Sequence, residues 1–188
     1  TVSIDNELYK ETDFTFSGDA TVKGTAAGTY AMELKPADFT NISKNFSNVE
    51  FVIVNGTLEI SKRTVTLTST TDSKVYDGTP LTNDKVTVGG DGFANGEGAS
   101  YNVTGTQTEF GSSANAFTYT LNDGTEAANY DITTTEGTLT VTALTNKVTV
   151  TITENSGTEK YDGTEKTVTG YTVSIDNELY KETDFTFS

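Results

Sequence analysis

The stretch VTLTSTTDSKVYDGT at 65–79 decides the fold, because it recurs without a gap as VTITENSGTEKYDGT at 150–164. In both copies threonine alternates with valine, leucine or isoleucine before a Tyr-Asp-Gly-Thr sequence. A period of two residues is typical of a half-buried strand, here with Val65 and Leu67 on one face. The Asp-Gly pair that follows favours a tight turn. The two copies predict a repeated module that begins with a strand and a turn.

Two further pairs of stretches give the module its length. GSSANAFTYTL at 111–121 aligns with GTAAGTYAMEL at 24–34, and NYDITTTEGTLTV at 129–141 aligns with NVEFVIVNGTLEI at 48–60. The YDGT element comes first in a module and the GTL element last. This order predicts one complete module at 63–147, which we call the intact module.

A second module is divided between the two ends of the sequence. We expect 148–188 to be its N-terminal part and 1–62 its C-terminal part, and we call the two together the split module. The sequence TVSIDNELYKETDFTFS stands at both 1–17 and 172–188, which gives a period of 171 residues. We expect the two copies to share one conformation and to be completed by the neighbouring chain or by neighbouring copies.

The composition favours strands. Threonine is the commonest residue, 39 of 188, and β-branched residues suit a pleated surface, whereas no segment has a helical period of 3.6. The sequence predicts an all-β protein of tandem small immunoglobulin-like β-sandwich modules in a linear array. A β-grasp-like module is the alternative, and it requires a helix. KPADF at 35–39 allows one helical turn, with Pro36 at its first position.

The YDGT motifs are the sharpest signature. They comprise Tyr76, Asp77, Gly78, Thr79, Tyr161, Asp162, Gly163 and Thr164. Asp and Gly suit a turn with left-handed geometry, and the tyrosine ring is a large apolar body. The favoured interpretation is a structural turn anchored by a packed tyrosine. The alternative, sugar stacking, needs exposed rings in both modules.

A hairpin is predicted in FVIVNGTLEI at 51–60, with Asn55 and Gly56 as its type I′ turn. The apolar run 51–54 indicates a strand covered on both faces or one at a module junction. We expect the extra residues around 35–44 to form a surface loop, and this loop is the first place to seek a ligand.

The net charge of −15 argues against binding to nucleic acid or to an anionic membrane surface. No stretch approaches the roughly 18–20 apolar residues of a membrane span, so we expect no membrane insertion in this segment. The chain has no His and no Cys, so the common acid–base and thiol mechanisms are absent. We predict no catalytic residue, no cofactor and no metal site, and hence no enzyme.

Two further groups of residues are weaker candidates for a site. Asp91 and Glu97 lie among glycines but lack the alternating spacing of a calcium loop, so a turn that places Phe93 in the core is favoured. A Lys–Asn isopeptide cross-link is conceivable, but Lys74 and Lys160 do not align between the modules.

Taken in order, KVYDGTPLT, GFANGEGASYNVTG, GTAAGTYAMEL and NYDI…GTLTVT resemble the MBG/YDG-type tandem repeats of bacterial surface proteins. The split module departs from that pattern, since its YDGTEKT lacks the proline. The resemblance implies small all-β modules in long, exported, adhesin-like proteins, where they commonly serve as stalks. It supplies no catalytic residues.

The resulting expectation is a structural repeat segment of a long bacterial protein, secreted or at the cell surface, that acts as a stiff stalk or fibre. Its partners would be adjacent identical repeats, with a host glycan or protein as a further possibility. Two alternatives stay open. One is a ligand-binding adhesin module, with its site around Lys35–Lys44. The other is a self-assembling filament subunit, in which 148–188 of one chain docks with 18–62 of the next.

Overall fold

The computed structural model describes all 188 residues, and its regular structure is almost entirely β. The strands are β1 (Phe14–Phe16), β2 (Gly28–Ala31), β3 (Phe39–Asn41), β4 (Thr57–Ile60), β5 (Arg63–Ser69), β6 (Asp72–Val75), β7 (Val86–Gly90), β8 (Ala99–Val103), β9 (Gly111–Asn115), β10 (Phe117–Leu121), β11 (Tyr130–Thr135), β12 (Gly137–Thr142), β13 (Val150–Glu154) and β14 (Tyr171–Ile175). The helical segments are 3-10 turns of three residues, at Glu11–Asp13, Pro36–Asp38, Ala127–Asn129 and Glu182–Asp184. The all-β class is therefore confirmed, and the α-helix that the β-grasp alternative requires is absent.

The chain divides into two compact units, each assembled from separate stretches of sequence. The first comprises 1–68, 87–100 and 119–135, and the second comprises 69–86, 101–118 and 136–188.

In the first unit, β5 is the central strand of the three-stranded sheet β11-β5-β7. The alternation seen in the sequence is realised there, because Val65 and Leu67 have no exposed surface. β5 and β11 run parallel, with Ile132 opposite Val65 and Thr134 opposite Leu67. The sequence did not predict a parallel pair. Its strands come from opposite ends of the intact module, so the intervening chain supplies the long connection that parallel pairing needs.

Residues 1–62 add two antiparallel pairs to this unit, β1 with β3 and β2 with β4. An aromatic cluster lies beside them. Phe51 packs 5.5 Å from Phe14 and 5.6 Å from Phe39, measured between ring centroids. Tyr9 meets Phe46 edge-on at 5.4 Å and is only 7 % exposed. Aromatic rings thus provide much of the apolar packing of this segment.

In the second unit, β12 is the central strand of the sheet β6-β12-β9. It runs parallel to β6 and antiparallel to β9. Leu139 and Val141 of β12 are fully buried and form a cluster with Leu81, against which Tyr76 packs. The same unit contains the antiparallel pair β13 and β14.

The KPADF stretch forms the single turn that the sequence indicates, with Pro36 in its first positions. The Asp38 carboxylate accepts the Lys35 backbone N–H at 2.8 Å, which closes the turn. The prediction of a free surface loop at 35–44 is wrong in part. Phe39 begins β3 and packs into the aromatic cluster, because the turn delivers it directly onto β1.

The prediction of a hairpin turn at Asn55 and Gly56 is also wrong. Neither residue has a positive φ, which a type I′ turn requires at both positions. The segment 51–54 forms no strand, and β4 pairs with β2 instead. The physical reason is visible in the intact module, where the corresponding strands β11 and β12 belong to different sheets and therefore do not pair with each other.

The alignment of 24–34 with 111–121 needs a shift of four residues. Gly28 lies opposite Ile60 in the split module, just as Gly111 lies opposite Val141 in the intact module. Both glycines begin a strand with positive φ, 153° and 135°. Gly28 therefore corresponds to Gly111, because similar Gly-Thr pairs at 24 and 28 made two registers possible.

Candidate functional site

The two copies of TVSIDNELYKETDFTFS have the same local structure. Lys10 has φ −124° and ψ 162°, and Lys181 has φ −119° and ψ 161°. The Asp13 carboxylate accepts the Lys10 backbone N–H at 2.8 Å, and Asp184 accepts that of Lys181 at the same distance. A Tyr–Phe pair is stacked at 6.4 Å in each copy. The copies therefore share the turn from Lys10 to Phe14 and from Lys181 to Phe185, but the prediction of one conformation does not extend to their strands.

The partners of the two copies differ. In the first copy, residues 14–16 form β1 and pair with β3, whereas the identical residues 185–187 form no strand and Phe187 is 83 % exposed. In the second copy, β14 pairs with β13, whereas residues 1–4 form no strand and Val2 is 47 % exposed. Each copy therefore has the partner strand that the other lacks.

Residues 49–54 belong to no strand and leave an open edge. Its odd-numbered residues are half-buried, while Val52 and Val54 are 76 % and 92 % exposed. This alternation is that of a strand, yet none of its backbone groups makes a backbone hydrogen bond. The corresponding strand of the intact module is β11, which pairs with β5.

A second open edge lies on β4. It pairs with β2 on one side, whereas the corresponding strand β12 pairs on both sides, with β9 and with β6. Residues 157–160 correspond to β6 but form no strand. The two parallel pairs of the intact module, β5 with β11 and β6 with β12, therefore have no equivalent within the split module.

The two YDGT tyrosines differ in the same way. Tyr76 packs against the buried cluster of Leu81, Leu139 and Val141. Tyr161 is 97 % exposed. Tyr76 is therefore packed as the predicted anchor requires, whereas the predicted anchor at Tyr161 is not formed. One exposed ring alone does not provide the pair of platforms that sugar stacking requires.

The Asp77 turn is held by a lysine. Lys74 Nζ donates to Asp77 Oδ1 at 2.7 Å and to the Thr79 carbonyl at 2.5 Å. The Asp77 carboxylate also accepts the Thr79 backbone N–H at 2.9 Å, and Gly78 has φ 77°. These bonds, that from Lys74 above all, hold the pKa of Asp77 well below its ordinary value. None of the Lys74 partners is an asparagine, so an isopeptide bond has no support at this lysine.

The Asp162 turn repeats this arrangement with a lysine from the other side. Lys166 Nζ donates to Asp162 Oδ2 at 2.6 Å, and Gly163 has φ 82°. The bond from Lys166 is again the main cause that lowers the Asp162 pKa. By the offset of 85 residues, Lys74 corresponds to Glu159 and Leu81 to Lys166. The sequence analysis missed this exchange, although the alignment contains it.

The carboxylates of the glycine-rich stretch at 89–101 are engaged in local bonds. Asp91 Oδ2 accepts both the backbone N–H and the hydroxyl of Thr64 at 2.9 Å, and these bonds lower the Asp91 pKa. Glu97 Oε2 accepts the Tyr130 hydroxyl at 2.6 Å. Burial, followed by this bond, raises the pKa of Tyr130. Phe93 packs edge-on to Tyr130 at 5.2 Å. The stretch is therefore a turn held in place by local hydrogen bonds and by this aromatic contact.

A buried polar pair was not predicted. The Ser69 hydroxyl donates to the Asn115 carbonyl at 2.6 Å and accepts the Gly137 N–H at 2.9 Å. Asn115 Nδ2 donates to the carbonyls of Thr70 and Asn83 at 2.9 and 2.8 Å. Because these partners are backbone groups, the pair fixes the strands around it rather than presenting chemistry. In the corrected alignment Asn115 corresponds to Met32. This exchange between an apolar and a polar residue is the signal in the sequence that could have identified Asn115.

None of the helical segments is long and apolar enough to cross a membrane.

Two apolar depressions lie on the surface. One of about 400 Å³ is lined by Val2, Glu11, Phe14, Phe16, Ala20, Leu34 and Phe39. Another of about 330 Å³ includes Tyr76, Phe110, Leu179 and Tyr180. Both border a copy of the duplicated sequence.

Comparison with known proteins gives one family. The MBG domain matches residues 1–62. No curated protein and no solved structure matches the chain. The match bears out the resemblance to MBG-type repeats for this part of the sequence. Residues 1–62 are therefore similar to the MBG domain, a domain found in surface repeat proteins.

Proposed function

We propose that this chain is a structural repeat segment of a long extracellular bacterial protein, in which consecutive modules form a stiff stalk without catalysis. The observation that carries the proposal is the duplicated sequence, whose copies share one turn but each have the partner strand that the other lacks. In a tandem array a single copy would take both partners. Each period would then contribute two complete modules.

The roles of the polar side chains support a mechanical function. Asp77, Asp91, Asp162 and Glu97 each bond to a neighbouring backbone, hydroxyl or lysine group that holds a turn. Asn115 and Ser69 bond to strands. Charged and polar groups thus hold the connections between strands in place, which supports a structural rather than a catalytic role.

The net charge of −15 also suits a stalk. Like-charged modules repel neighbouring stalks when the ionic strength is low, and this discourages lateral sticking. In repeat proteins stability is approximately the sum of module terms and nearest-neighbour interface terms. Completing the split module would add an interface of this kind with every period.

The test compares the 188-residue chain with a two-period chain, in which a second copy of 18–188 follows residue 188. Small-angle scattering gives the maximum dimension of each, and a three-period chain is measured in the same way. We expect equal increments of length per period and a cross-section that stays constant. Increments that shrink with each period, as for a flexible coil or a collapsed globule, would contradict a stiff stalk.

A further inference from the structure

We propose that residues 148–161, the donor segment, dock from a second copy of this chain onto the open edges at 49–54 and 57–61, the acceptor edges. The inference rests on the proposed function, because it describes how one repeat would engage the next.

The intact module supplies the template. There β5 runs parallel to β11, and β6 runs parallel to β12. By correspondence, 148–153 would run parallel to 49–54, and 157–160 would run parallel to 58–61. Phe51 would then lie opposite Val150, Ile53 opposite Ile152 and Val52 opposite Thr151. Both pairs are parallel, so a single extended donor segment can follow both acceptor edges in order.

The faces of the strands agree with this register. The donor segment has Val150 and Ile152 at the positions of the fully buried Val65 and Leu67. In the free chain Ile152 is 48 % exposed. The acceptor edge at 49–54 turns its odd-numbered apolar residues inward already. Docking would therefore place apolar side chains of the two copies on the same face of one sheet.

Residues 1–4 offer the donor segment a second edge. In β14 the identical sequence pairs with β13, so that Val173 lies opposite Ile152. Val2 is the counterpart of Val173, and it lines the apolar depression of about 400 Å³ beside Phe14 and Phe39. The donor segment would thus have a partner on each side, as β5 has β7 and β11.

The exposed tyrosine completes the match. Tyr76 packs on Leu139 and Val141, whose counterparts on the acceptor edge are Leu58 and Ile60. These two residues are only half-buried, and Tyr161 of the donor segment is 97 % exposed. The docked segment would place Tyr161 where Tyr76 lies in the intact module.

The two copies of the duplicated sequence compete for one edge of β13, and a binding probe must avoid this competition. In the free chain, β14 already occupies one edge of β13, and residues 1–4 of a second copy would require the same edge. Two full-length chains can therefore dock fully only if one of the identical segments gives way. A synthetic peptide of residues 147–161 lacks the duplicated sequence and avoids this competition.

The test measures binding of the fluorescently labelled 147–161 peptide to the full 188-residue chain by anisotropy. We expect saturable binding with one peptide per chain. Ile152→Asp in the peptide should weaken binding at least about tenfold, because an inward apolar contact is lost. The matched control is Thr151→Asp, which faces outward and should change the affinity less than about threefold. Absence of saturable binding, or equal effects of the two substitutions, would overturn the proposal.

The register has its own test. Val52→Lys places a cation at an exposed position of the acceptor edge, opposite residue 151 of the peptide. The variant chain should bind the Thr151→Asp peptide a few-fold more tightly than the Thr153→Asp peptide, since directly opposed charges attract. The reverse preference would mean a register shifted by two residues and would refute the stated alignment.

The two proposals can fail separately. If the peptide does not bind while each added period lengthens the chain, docking is wrong and the structural function stands. If the peptide binds but added periods do not lengthen the chain, docking stands and the stalk function is wrong.

Discussion

The intact and the split modules contain nearly the same opening strand in two different surroundings. Val65 and Leu67 of β5 are fully buried, whereas Ile152 of β13, at the position of Leu67, is 48 % exposed. β5 has a strand on both sides, and β13 has one only. An alternating sequence therefore specifies which face of a strand is apolar, but the partner strands decide whether that face is buried.

The largest difference should appear in the core. Leu67→Ala removes a fully buried side chain, so we expect the free energy of unfolding to fall by about 2–5 kcal/mol. Ile152→Ala at the corresponding position should cost less than about 1 kcal/mol, because water already reaches that side chain. Urea denaturation of both variants measures the contrast.

The same pair of variants tests completion of the split module. In the two-period chain, the cost of Ile152→Ala in the first period should rise toward that of Leu67→Ala. An unchanged small cost would mean that the strand stays open in the array.

A smaller contrast is expected between Gly137, the first residue of β12, and Gly56, which directly precedes β4. A Cβ at Gly137 would lie 2.5 Å from backbone atoms of Ser69 and Thr70, whereas a Cβ at Gly56 would meet no atom within 4 Å. Gly137→Ala should therefore destabilise the chain by about 1–3 kcal/mol. Gly56→Ala serves as the matched control and should stay within about 0.5 kcal/mol.

Thermal unfolding followed by circular dichroism measures this contrast. Equal midpoints for the two variants would show that the backbone around Gly137 adjusts freely, and that the buried Ser69–Asn115 pair does not fix it.

These contrasts show how far the sequence could lead. The period of two at 65–70 predicted β5 and its buried face, and the identical 17-residue copies predicted one shared conformation, which their turns have but their strands do not. Local pattern did not reveal that β5 and β11 run parallel, because strand pairing depends on residues more than sixty positions apart. The Asn55-Gly56 pair has the composition of a hairpin turn, but its flanking segments follow different sheets, as β11 and β12 do. The bond from Lys74 to Asp77 was missed because the lysine that binds the turn aspartate precedes it in the intact module and follows it, as Lys166, in the split module.

The smallest effect concerns the two YDGT turns, which differ in tyrosine burial but share a lysine-bound aspartate. Lys74→Met should raise the pKa of Asp77 toward its ordinary value of 3.8, because the bond from Lys74 is the main cause of the depression. Lys166→Met should do the same for Asp162. Lys160→Met, which removes a lysine that contacts neither aspartate, should leave both pKa values unchanged. Carbon-detected NMR titration of the side-chain carboxyls measures all three variants.

The sign of the stability effect follows from the direction of the shift. A carboxyl whose pKa is lower in the folded chain stabilises the fold fully above its ordinary pKa, and this contribution is lost as the pH falls through the folded value. The stability difference between the wild-type chain and Lys74→Met should therefore be constant above about pH 5 and shrink below about pH 4. If Asp77 responds to its lysine while Asp162 does not, the two turns are not equivalent, and the lysine exchange between the modules is not compensatory. If both respond alike, the turn forms without its tyrosine anchor, and Tyr161 stays exposed because its apolar partners are missing rather than because its turn is misfolded.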